Sequence, residues 1–324
     1  MDYLSVINRP IEKEIADFNG FFKSQLKSDV MLMNDALSFL SESIGKMMRP
    51  TLVLLVAKSI GNLNEKTFSA ATAVEMLHTA SLLHDDVIDE SDKRRGRPSL
   101  NIRFNNNVAV LAGDYLFSMA LNNTARTGDI RVIDAISVMG RDLPNGEVMQ
   151  VELQQNGIYS EENYLKVIYY KTASLFVCSC ACAVYTAGGS DEIVEKFSNY
   201  GKYIGLCFQI KDDIFDYYSN DIGKPTGSDM REGKITLPAL YVLRTSSNPV
   251  LTPIREKLSK GIYLDEKEIE SLIEISKEEG GIEYTNSVIK SYRDMAIEAI
   301  PAEITDEFRN ALIAYVDYVI NREK

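Results

Sequence analysis

The chain has 324 residues, of which 45% are hydrophobic and 25% are charged. This composition supports a large core and excludes a disordered chain. The formal net charge of -12 argues against a nucleic-acid partner, because no basic stripe offsets it. The four cysteines imply no disulfide framework, and the C-x-C-x-C run at Cys178, Cys180 and Cys182 is interpreted as small core residues.

The spacing of apolar residues predicts helices along most of the chain. Pro10 and Pro50 stand where helices could begin, and Gly61 stands where one could end. A long helix is predicted from about Asn64 to about Glu90. Further helices are predicted at about 107–127, 129–156, 160–187, 191–218, 235–245, 264–279, 281–299 and 303–321. Pro144 should kink or break the second of these.

We find no strand pattern and no hairpin signal, and the chain shows no linker, so we predict one domain over residues 1–324. The first residues, MDYLSVINRPIEKEIADF, contain acids and lack the apolar run of a signal peptide. The uncharged residues 172–190 are only weakly apolar, which favours a buried helix over a membrane span. We therefore expect a cytoplasmic protein.

Two acidic clusters of the form D-D-x-x-D occur, in LLHDDVIDESDKRRG and in QIKDDIFD. On a helix Asp85 and Asp89 share one face, and so do Asp212 and Asp216. Like charges at this spacing repel and are costly at the ends of apolar helices, unless cations bind. Hard oxygen ligands favour Mg²⁺. A single copy would be explained by a solvated helix face, but two copies on helices predicted to be buried favour a metal site.

Basic residues surround both clusters: Lys93, Arg94, Arg95 and Arg97 near the first, and Lys211, Lys224, Arg231 and Lys234 near the second. Carboxylates for Mg²⁺ together with cations for oxyanions are the components of a diphosphate site. A di-iron helix bundle would instead need E-x-x-H on two helices. Glu75 and His78 supply that motif once, and His84 follows Ser81 rather than a glutamate, so this alternative fails.

With these residues in view, the chain resembles the trans-isoprenyl diphosphate synthases, also called polyprenyl synthetases. DDVIDESDKRRG and QIKDDIFDY resemble the two aspartate-rich motifs of the family, and GKPTGSDMREGKITLPAL resembles the segment after the second. GKMMRP resembles its isopentenyl-binding motif, and GEVMQ and YKT also match. The resemblance implies an all-α fold, a single bundle of long antiparallel helices around a deep central cavity, and usually a homodimer.

Carried over by position, the resemblance implies a set of site residues. Acidic side chains would face each other across the cavity mouth: Asp85, Asp86, Asp89, Asp212, Asp213 and Asp216. Asp85 and Asp89 would share two Mg²⁺ ions and Asp212 would hold a third. The allylic diphosphate would be bound by Arg94, Lys171, Lys224 and Lys234. The diphosphate of isopentenyl diphosphate would be bound by Lys46, Arg49, His78 and Arg95. Thr172 and Gln209 would line the reacting centre, and Asp92, Asp229 and Glu232 are interpreted as solvated or supporting residues.

The implied activity is head-to-tail, trans condensation of an allylic diphosphate with isopentenyl diphosphate, by ionisation, condensation and elimination. Ala80 and Ser81, one turn below Asp85, are small and should let a growing chain pass, so we expect a product of about C30 to C50 for quinone side chains. Three alternatives stay open. A shorter-chain synthase would have its cavity floor elsewhere, for example at Met76, Leu116, Phe117 or Met119. A class I terpene cyclase would carry a different second motif, and a non-catalytic helical partner subunit would usually lack some of the six aspartates.

Overall fold

The computed structural model describes residues 2–42, 45–61, 63–94, 96–218 and 226–322. The described chain is mainly helical and has only two strands of two residues each, which confirms the predicted all-α class. The helices are α1 (Tyr3–Asn8), α2 (Glu12–Gln25), α3 (Met31–Glu42), α4 (Met48–Ile60), α5 (Glu65–Ile88), α6 (Leu100–Arg103), α7 (Asn106–Arg126), α8 (Ile130–Gln155), α9 (Glu161–Ile168), α10 (Ser174–Ala187), α11 (Asp191–Phe215), α12 (Ser228–Arg231), α13 (Leu237–Thr245), α14 (Leu251–Leu258), α15 (Glu266–Glu278), α16 (Gly281–Glu298) and α17 (Asp306–Asn321). A 3₁₀ turn (Arg9–Ile11) joins α1 to α2, and a π-helical turn (Tyr169–Ala173) joins α9 to α10.

The ends of the long helices follow from local capping. The Asn64 side chain accepts hydrogen bonds from the N–H groups of Lys66 and Thr67, which starts α5 with a capping box. Gly61, at a φ of 104°, ends α4 in the left-handed conformation that glycine adopts without strain. Helix α8 continues through Pro144, so of the two outcomes predicted there a break is excluded.

A short hairpin follows α5. Its strands are β1 (Lys93–Arg94) and β2 (Arg97–Pro98), paired antiparallel with Arg94 opposite Arg97. The sequence analysis found no signal for this hairpin and did not predict it. Strands of two residues are too short to show an alternating pattern, so no periodic signal could have predicted them. Helix α14 was also missed by the sequence analysis.

The chain divides into two compact units. Unit 1 comprises residues 1–140, 175–199 and 300–315, and unit 2 comprises residues 141–174, 200–299 and 316–324. In unit 1, α5 packs along α7, and α5 carries small, fully buried residues such as Ala70 and Ala73. At Gly113 of α7, an added Cβ would lie 2.3 Å from Nε2 of His84, so the glycine leaves room for the His84 ring of α5 to lie against α7.

Unit 2 has its own hydrophobic cluster. It is formed by buried residues that include Tyr217, Met230, Ile254, Leu272 and Ile282. Tyr159 and Tyr164 are partly buried and pack against it. Because the two units each contain three separate segments of chain, the single domain predicted over residues 1–324 stays a prediction.

All four cysteines are buried and free, as expected for core residues. By length and composition, one helix among the described residues, Glu161–Ala187, could cross a membrane. Its most apolar window has a mean hydropathy of 1.5, and 78% of that window is buried within the protein. Such burial is what the core helix of a folded domain shows.

Candidate active site

The first acidic cluster lies at the C-terminal end of α5. Asp85 and Asp86 belong to its last turn, and Asp89 is the C-cap, whose N–H donates to the carbonyl oxygen of Asp85 at 2.8 Å. Aligned peptide dipoles make this end of a helix electrically negative. Three carboxylates there raise the electrostatic cost further, so the local structure favours the binding of a cation.

Asp86 differs from its neighbours because it is 2% exposed. The Arg94 guanidinium holds both of its carboxylate oxygens: Nη2 lies 2.6 Å from Oδ1, and Nε lies 2.8 Å from Oδ1 and 3.0 Å from Oδ2. Asn101 donates to the Asp86 carbonyl oxygen at 3.3 Å. Asp86 thus fixes the hairpin to the end of α5, while Asp85 is half-buried and Asp89 is exposed.

The second acidic cluster lies at the C-terminal end of α11. Asp212 and Asp213 belong to its last turn, and Asp216 follows it directly. The Asp216 carboxylate accepts the N–H groups of Ser228 at 2.9 Å and Asp229 at 3.1 Å, and so holds the start of α12. Burial raises the pKa of Asp216, while these backbone donors lower it. Both clusters therefore lie at the negative ends of long helices.

Asp213 is 5% exposed, and each of its oxygens has a protein donor. Tyr164 Oη donates to Oδ2 at 2.6 Å, and Gln209 Nε2 donates to Oδ1 at 2.8 Å. Burial and then the charge of Asp229 raise the pKa of Asp213 to about 7, against the lowering effect of the two donors. Asp229 is half-buried, and burial followed by the charge of Asp216 raises its pKa to about 6. The charge of Asp229 therefore acts on the second acidic cluster, as a supporting residue would.

Asp212 is the more accessible aspartate, with 38% of its side chain exposed. Arg322 Nη2 donates to its Oδ1 at 2.6 Å and to the carbonyl oxygen of Phe208 at 2.9 Å. The Arg322 guanidinium also lies 3.7 Å from the centre of the Phe208 ring. The carboxylate thus already attracts a cation. The sequence analysis missed Arg322, because no motif marks the C-terminal third of the chain.

Lys171 and Thr172 lie in the π-helical turn, a feature that is frequent at functional sites. Lys171 Nζ lies 2.8 Å from Glu147 Oε2 and donates to Gln150 Oε1 at 2.9 Å. Thr172 Oγ1 donates to Gln209 Oε1 at 2.6 Å. The structure therefore brings Thr172, Gln209 and Asp213 together, as one connected set. Lys234 pairs with Glu232, and Lys224 lies outside the described residues.

The residues assigned to isopentenyl diphosphate lie in unit 1. Arg49 Nη1 is 2.9 Å from Nε2 of His78. Arginine has donors only, so Nε2 of His78 accepts, and a neutral ring then carries its proton on Nδ1. The Arg49 guanidinium also lies 5.1 Å from the centre of the Phe176 ring. Lys46 is exposed, and Arg95 lies outside the described residues.

A pocket open to solvent lies in unit 1. Helix α5 contributes Glu75, Met76, His78, Thr79, Leu82, Leu83 and Asp86 to its lining, and α7 contributes Leu116. Ala80 and Ser81 of α5 do not line this pocket, and Ala80 is 1% exposed. The methyl group of Ala80 therefore packs against protein, whereas Ser81 is half-buried.

No three His, Cys, Asp or Glu side chains converge on a closed metal site within the described ranges. The donor set nevertheless fits Mg²⁺, which typically takes one or two carboxylates and completes its shell with phosphate oxygens and water. Asp85, Asp89 and Asp212 are accessible carboxylates of this kind, each at the negative end of a helix. Asp86 and Asp213 are buried and have protein donors on both oxygens.

Residues 30–275 match the family model described as Polyprenyl synthetase. Octaprenyl diphosphate synthase of Haemophilus influenzae is 34% identical over 325 residues, which covers 99% of this chain and 98% of that protein. An all-α chain with two aspartate-rich helix ends thus falls into a known class of helical enzymes. The chain belongs to the polyprenyl synthetase family.

Solved structures show the same relationship. Decaprenyl diphosphate synthase from Rhodobacter capsulatus superposes with a TM-score of 0.89 at 32% identity, over 98% of each chain. Geranylgeranyl pyrophosphate synthase from Bacteroides thetaiotaomicron superposes with a TM-score of 0.85 at 40% identity, over 99% of this chain and 100% of that one. These two relatives are named for products of different length.

Proposed function

We propose that this chain is a Mg²⁺-dependent polyprenyl diphosphate synthase, which condenses an allylic diphosphate with successive isopentenyl diphosphate units in trans. The observation that carries the proposal is that the two acidic helix ends are arranged alike. Each has one buried aspartate, Asp86 or Asp213, whose two carboxylate oxygens both accept hydrogen bonds from protein groups, and each leaves other carboxylates accessible. Membership of the family over almost the whole chain supports the same activity.

Asp85, Asp89 and Asp212 are the residues that would hold Mg²⁺, about three ions in all. When bound, the ions supply positive charge to the departing diphosphate. Cationic side chains share this task. For the allylic diphosphate these are Arg94, Lys171, Lys224 and Lys234. For isopentenyl diphosphate they are Lys46, Arg49, His78 and Arg95.

The remaining chemistry needs no protein nucleophile. The allylic C–O bond breaks, the double bond of isopentenyl diphosphate attacks the cation, and the released diphosphate accepts the proton that is then lost. Thr172 and Gln209 contribute polar atoms at the reacting centre, in the fixed orientation set by their 2.6 Å hydrogen bond. Apolar surroundings must exclude water, which would otherwise capture the cation.

The proposed product is a chain of about C30 to C50, which is made in the cytoplasm and handed to a membrane for a quinone side chain. The proposed length is based on Ala80 and Ser81, the small residues one helical turn below Asp85. A shorter product, of the geranylgeranyl kind, is the second candidate. It is favoured by the 40% identity to the Bacteroides thetaiotaomicron protein, which exceeds the 32% identity to the Rhodobacter capsulatus protein.

We further propose a homodimer. On helix α7, Phe117 and Leu121 are 42% and 50% exposed and lie one turn apart, and Val110 lies on the same side of the helix, so the three form an exposed apolar stripe. Surface stripes of this kind mark interfaces, and a second copy of the chain is the partner expected from the family. Replacement of Leu121 by glutamate should lower the molar mass measured by light scattering from that of a dimer to that of a monomer; a dimer that persists would exclude this stripe.

The function is tested by incubating the purified protein with Mg²⁺, farnesyl diphosphate and labelled isopentenyl diphosphate. We expect elongated polyprenyl diphosphates, whose length decides between the two product classes. A cyclised hydrocarbon would identify a terpene cyclase. The absence of any turnover would exclude both the longer and the shorter polyprenyl product proposed above.

The acidic residues are tested in the same assay. Asp85→Ala and Asp212→Ala should each lower kcat roughly a hundredfold or more, because each removes a carboxylate proposed to hold Mg²⁺. The matched control is Asp294→Ala, which removes an aspartate that is 56% exposed on α16. Circular dichroism should show unchanged helix content in all three. Normal turnover of Asp85→Ala would show that the first cluster is only a charged surface.

A further inference from the structure

Four side chains of unit 2 form one continuous chain of hydrogen bonds. Tyr164 Oη donates to Asp213 Oδ2 at 2.6 Å, Gln209 Nε2 donates to Asp213 Oδ1 at 2.8 Å, and Thr172 Oγ1 donates to Gln209 Oε1 at 2.6 Å. The residues come from two separate segments of the chain, since Tyr164 lies on α9 and Thr172 on the π-helical turn that follows it, while Gln209 and Asp213 lie on α11. Tyr164 belongs to none of the motifs that the sequence revealed.

The hydrogen-bonding capacity of these groups orients the Gln209 amide when Asp213 is ionised. An ionised carboxylate can only accept, so in that state both Tyr164 and the Gln209 amide donate to Asp213. The amide nitrogen of Gln209 is thereby held toward Asp213, and its oxygen must face Thr172. With the amide reversed, its oxygen would face the carboxylate oxygen, and two acceptors would meet without a hydrogen between them. Asp213 therefore determines the orientation of Gln209 and, through it, that of the Thr172 hydroxyl.

Tyr164 holds the other oxygen of Asp213. Without that donor, Oδ2 would be buried without a partner, and the carboxylate could turn away from Gln209. The aromatic ring packs against the hydrophobic cluster of unit 2, so the position of the hydroxyl is set by core packing rather than by a mobile loop. A carboxylate bonded on both sides is rigid, which is what an aligned amide requires.

We propose that Tyr164 is a positioning residue of the prenyl transfer reaction, acting through Asp213 to orient the Gln209 amide and the Thr172 hydroxyl. This inference rests on the proposed function, because Gln209 and Thr172 matter to catalysis only if they line the reacting centre. Asp213 then serves as the internal link of the second aspartate-rich motif. Its role parallels that of Asp86, which holds Arg94 in the first motif.

The test is Tyr164→Phe, which removes one hydroxyl and keeps the packed ring. We expect kcat to fall roughly ten- to hundredfold, as for a lost hydrogen bond to a charged group, with the KM of both diphosphates within threefold of wild type. The matched control is Tyr217→Phe. Tyr217 is 1% exposed in the same hydrophobic cluster, and its hydroxyl contacts Thr236 at 3.0 Å and accepts from the Ala239 N–H at 3.1 Å. This control should lose comparable thermal stability and keep kcat.

A second pair of variants tests the other end of the chain. Thr172→Val, which keeps the shape and loses the hydroxyl, should lower kcat, whereas Thr172→Ser should keep it. Combined with Tyr164→Phe, Thr172→Val should cost less than the product of the two separate losses, because both remove one connected unit.

The outcomes separate the two proposals. If wild type forms no elongated product, the proposed function fails. If wild type is active and Tyr164→Phe keeps kcat within twofold, or loses no more than Tyr217→Phe, the positioning role is overturned. A change confined to KM would overturn it as well. Should Tyr164→Phe unfold at the assay temperature, full activity of Thr172→Val would still refute the inference.

Discussion

Gly146 of α8 packs closely against the π-helical turn that carries Lys171, and replacing it by alanine tests how tightly the site is packed. An added Cβ at this glycine would lie 2.6 Å from Lys171 Cγ, 2.9 Å from Tyr170 Cβ and 3.0 Å from the Lys171 backbone nitrogen. Carbon atoms in contact prefer about 3.5 to 4.0 Å, so Gly146→Ala requires the π-helical turn to move by roughly half an ångström or more.

Two opposing terms set the size of the effect. Overpacking of this kind typically costs about 1 to 3 kcal/mol, whereas alanine in place of glycine within a helix gains about 0.5 to 1 kcal/mol. The Lys171 side chain could rotate away, but that would break its contacts to Glu147 at 2.8 Å and Gln150 at 2.9 Å. We therefore expect a net loss of about 0 to 2.5 kcal/mol, together with a fall in kcat because Lys171 is displaced.

The control lies six residues earlier in the same helix. A Cβ added at Gly140 would meet no atom within 4 Å, so Gly140→Ala should stabilise the protein by about 0.5 to 1 kcal/mol and keep kcat. Urea unfolding measures the first quantity, and the elongation assay measures the second. Equal stability and equal kcat for the two variants would refute the argument that Gly146 is required for close packing against Lys171.

Three further predictions concern the substrate site, the product and the pH response. Arg49→Ala should chiefly raise the KM for isopentenyl diphosphate, because it removes a charge-assisted contact of about 1.5 to 3 kcal/mol. A rise confined to the KM for the allylic diphosphate would show that the two substrate sites are assigned the wrong way round. Ser81→Phe should shorten the main product while condensation continues, because Ser81 is the half-buried residue of the pair below Asp85. Ala80→Tyr should instead destabilise the protein, because Ala80 is fully packed. An unchanged product distribution in Ser81→Phe would show that this face of α5 does not set the product length. Asp129 has a lowered pKa, chiefly through its hydrogen bond to the Arg131 side chain, so its contribution to stability is present above its unfolded pKa and is lost as the pH falls through the folded value. The melting temperature of Asp129→Asn should therefore lie slightly below that of wild type from about pH 5 to 8. The two should converge only as the pH falls through the folded-state pKa, which lies below the ordinary value of 3.8, and a difference that does not shrink as the pH falls below that value would contradict this linkage.

The sequence predicted the long helices well because their ends carry local signals. Asn64 caps α5 with its own side chain, and Gly61 supplies the left-handed residue that ends α4. Both signals act within a few residues, so they can be seen without knowing the fold. The hairpin at Lys93–Pro98 has no such signal, because two-residue strands cannot display a period.

The candidate site was predictable only where its residues share a motif. The aspartates stand four apart on helices, and this spacing alone places them on one face. Tyr164 contacts Asp213 across 49 positions and Arg322 contacts Asp212 across 110 positions, so only the folded chain reveals them. Sequence patterns therefore identified the groups proposed to meet the substrate, and not the groups that hold them in place.

The middle aspartate of each D-D-x-x-D cluster shows what the fold adds to the motif. By residue type and spacing alone, every aspartate of the two clusters is a possible ligand for Mg²⁺. In the structure Asp86 and Asp213 are nearly inaccessible and have protein donors on both oxygens, which removes them from direct competition for a cation. A buried carboxylate is tolerated only with such partners, and the partners are thereby fixed in turn. Each cluster thus combines accessible carboxylates with one internal anchor, and the anchor decides where Arg94 or Gln209 points.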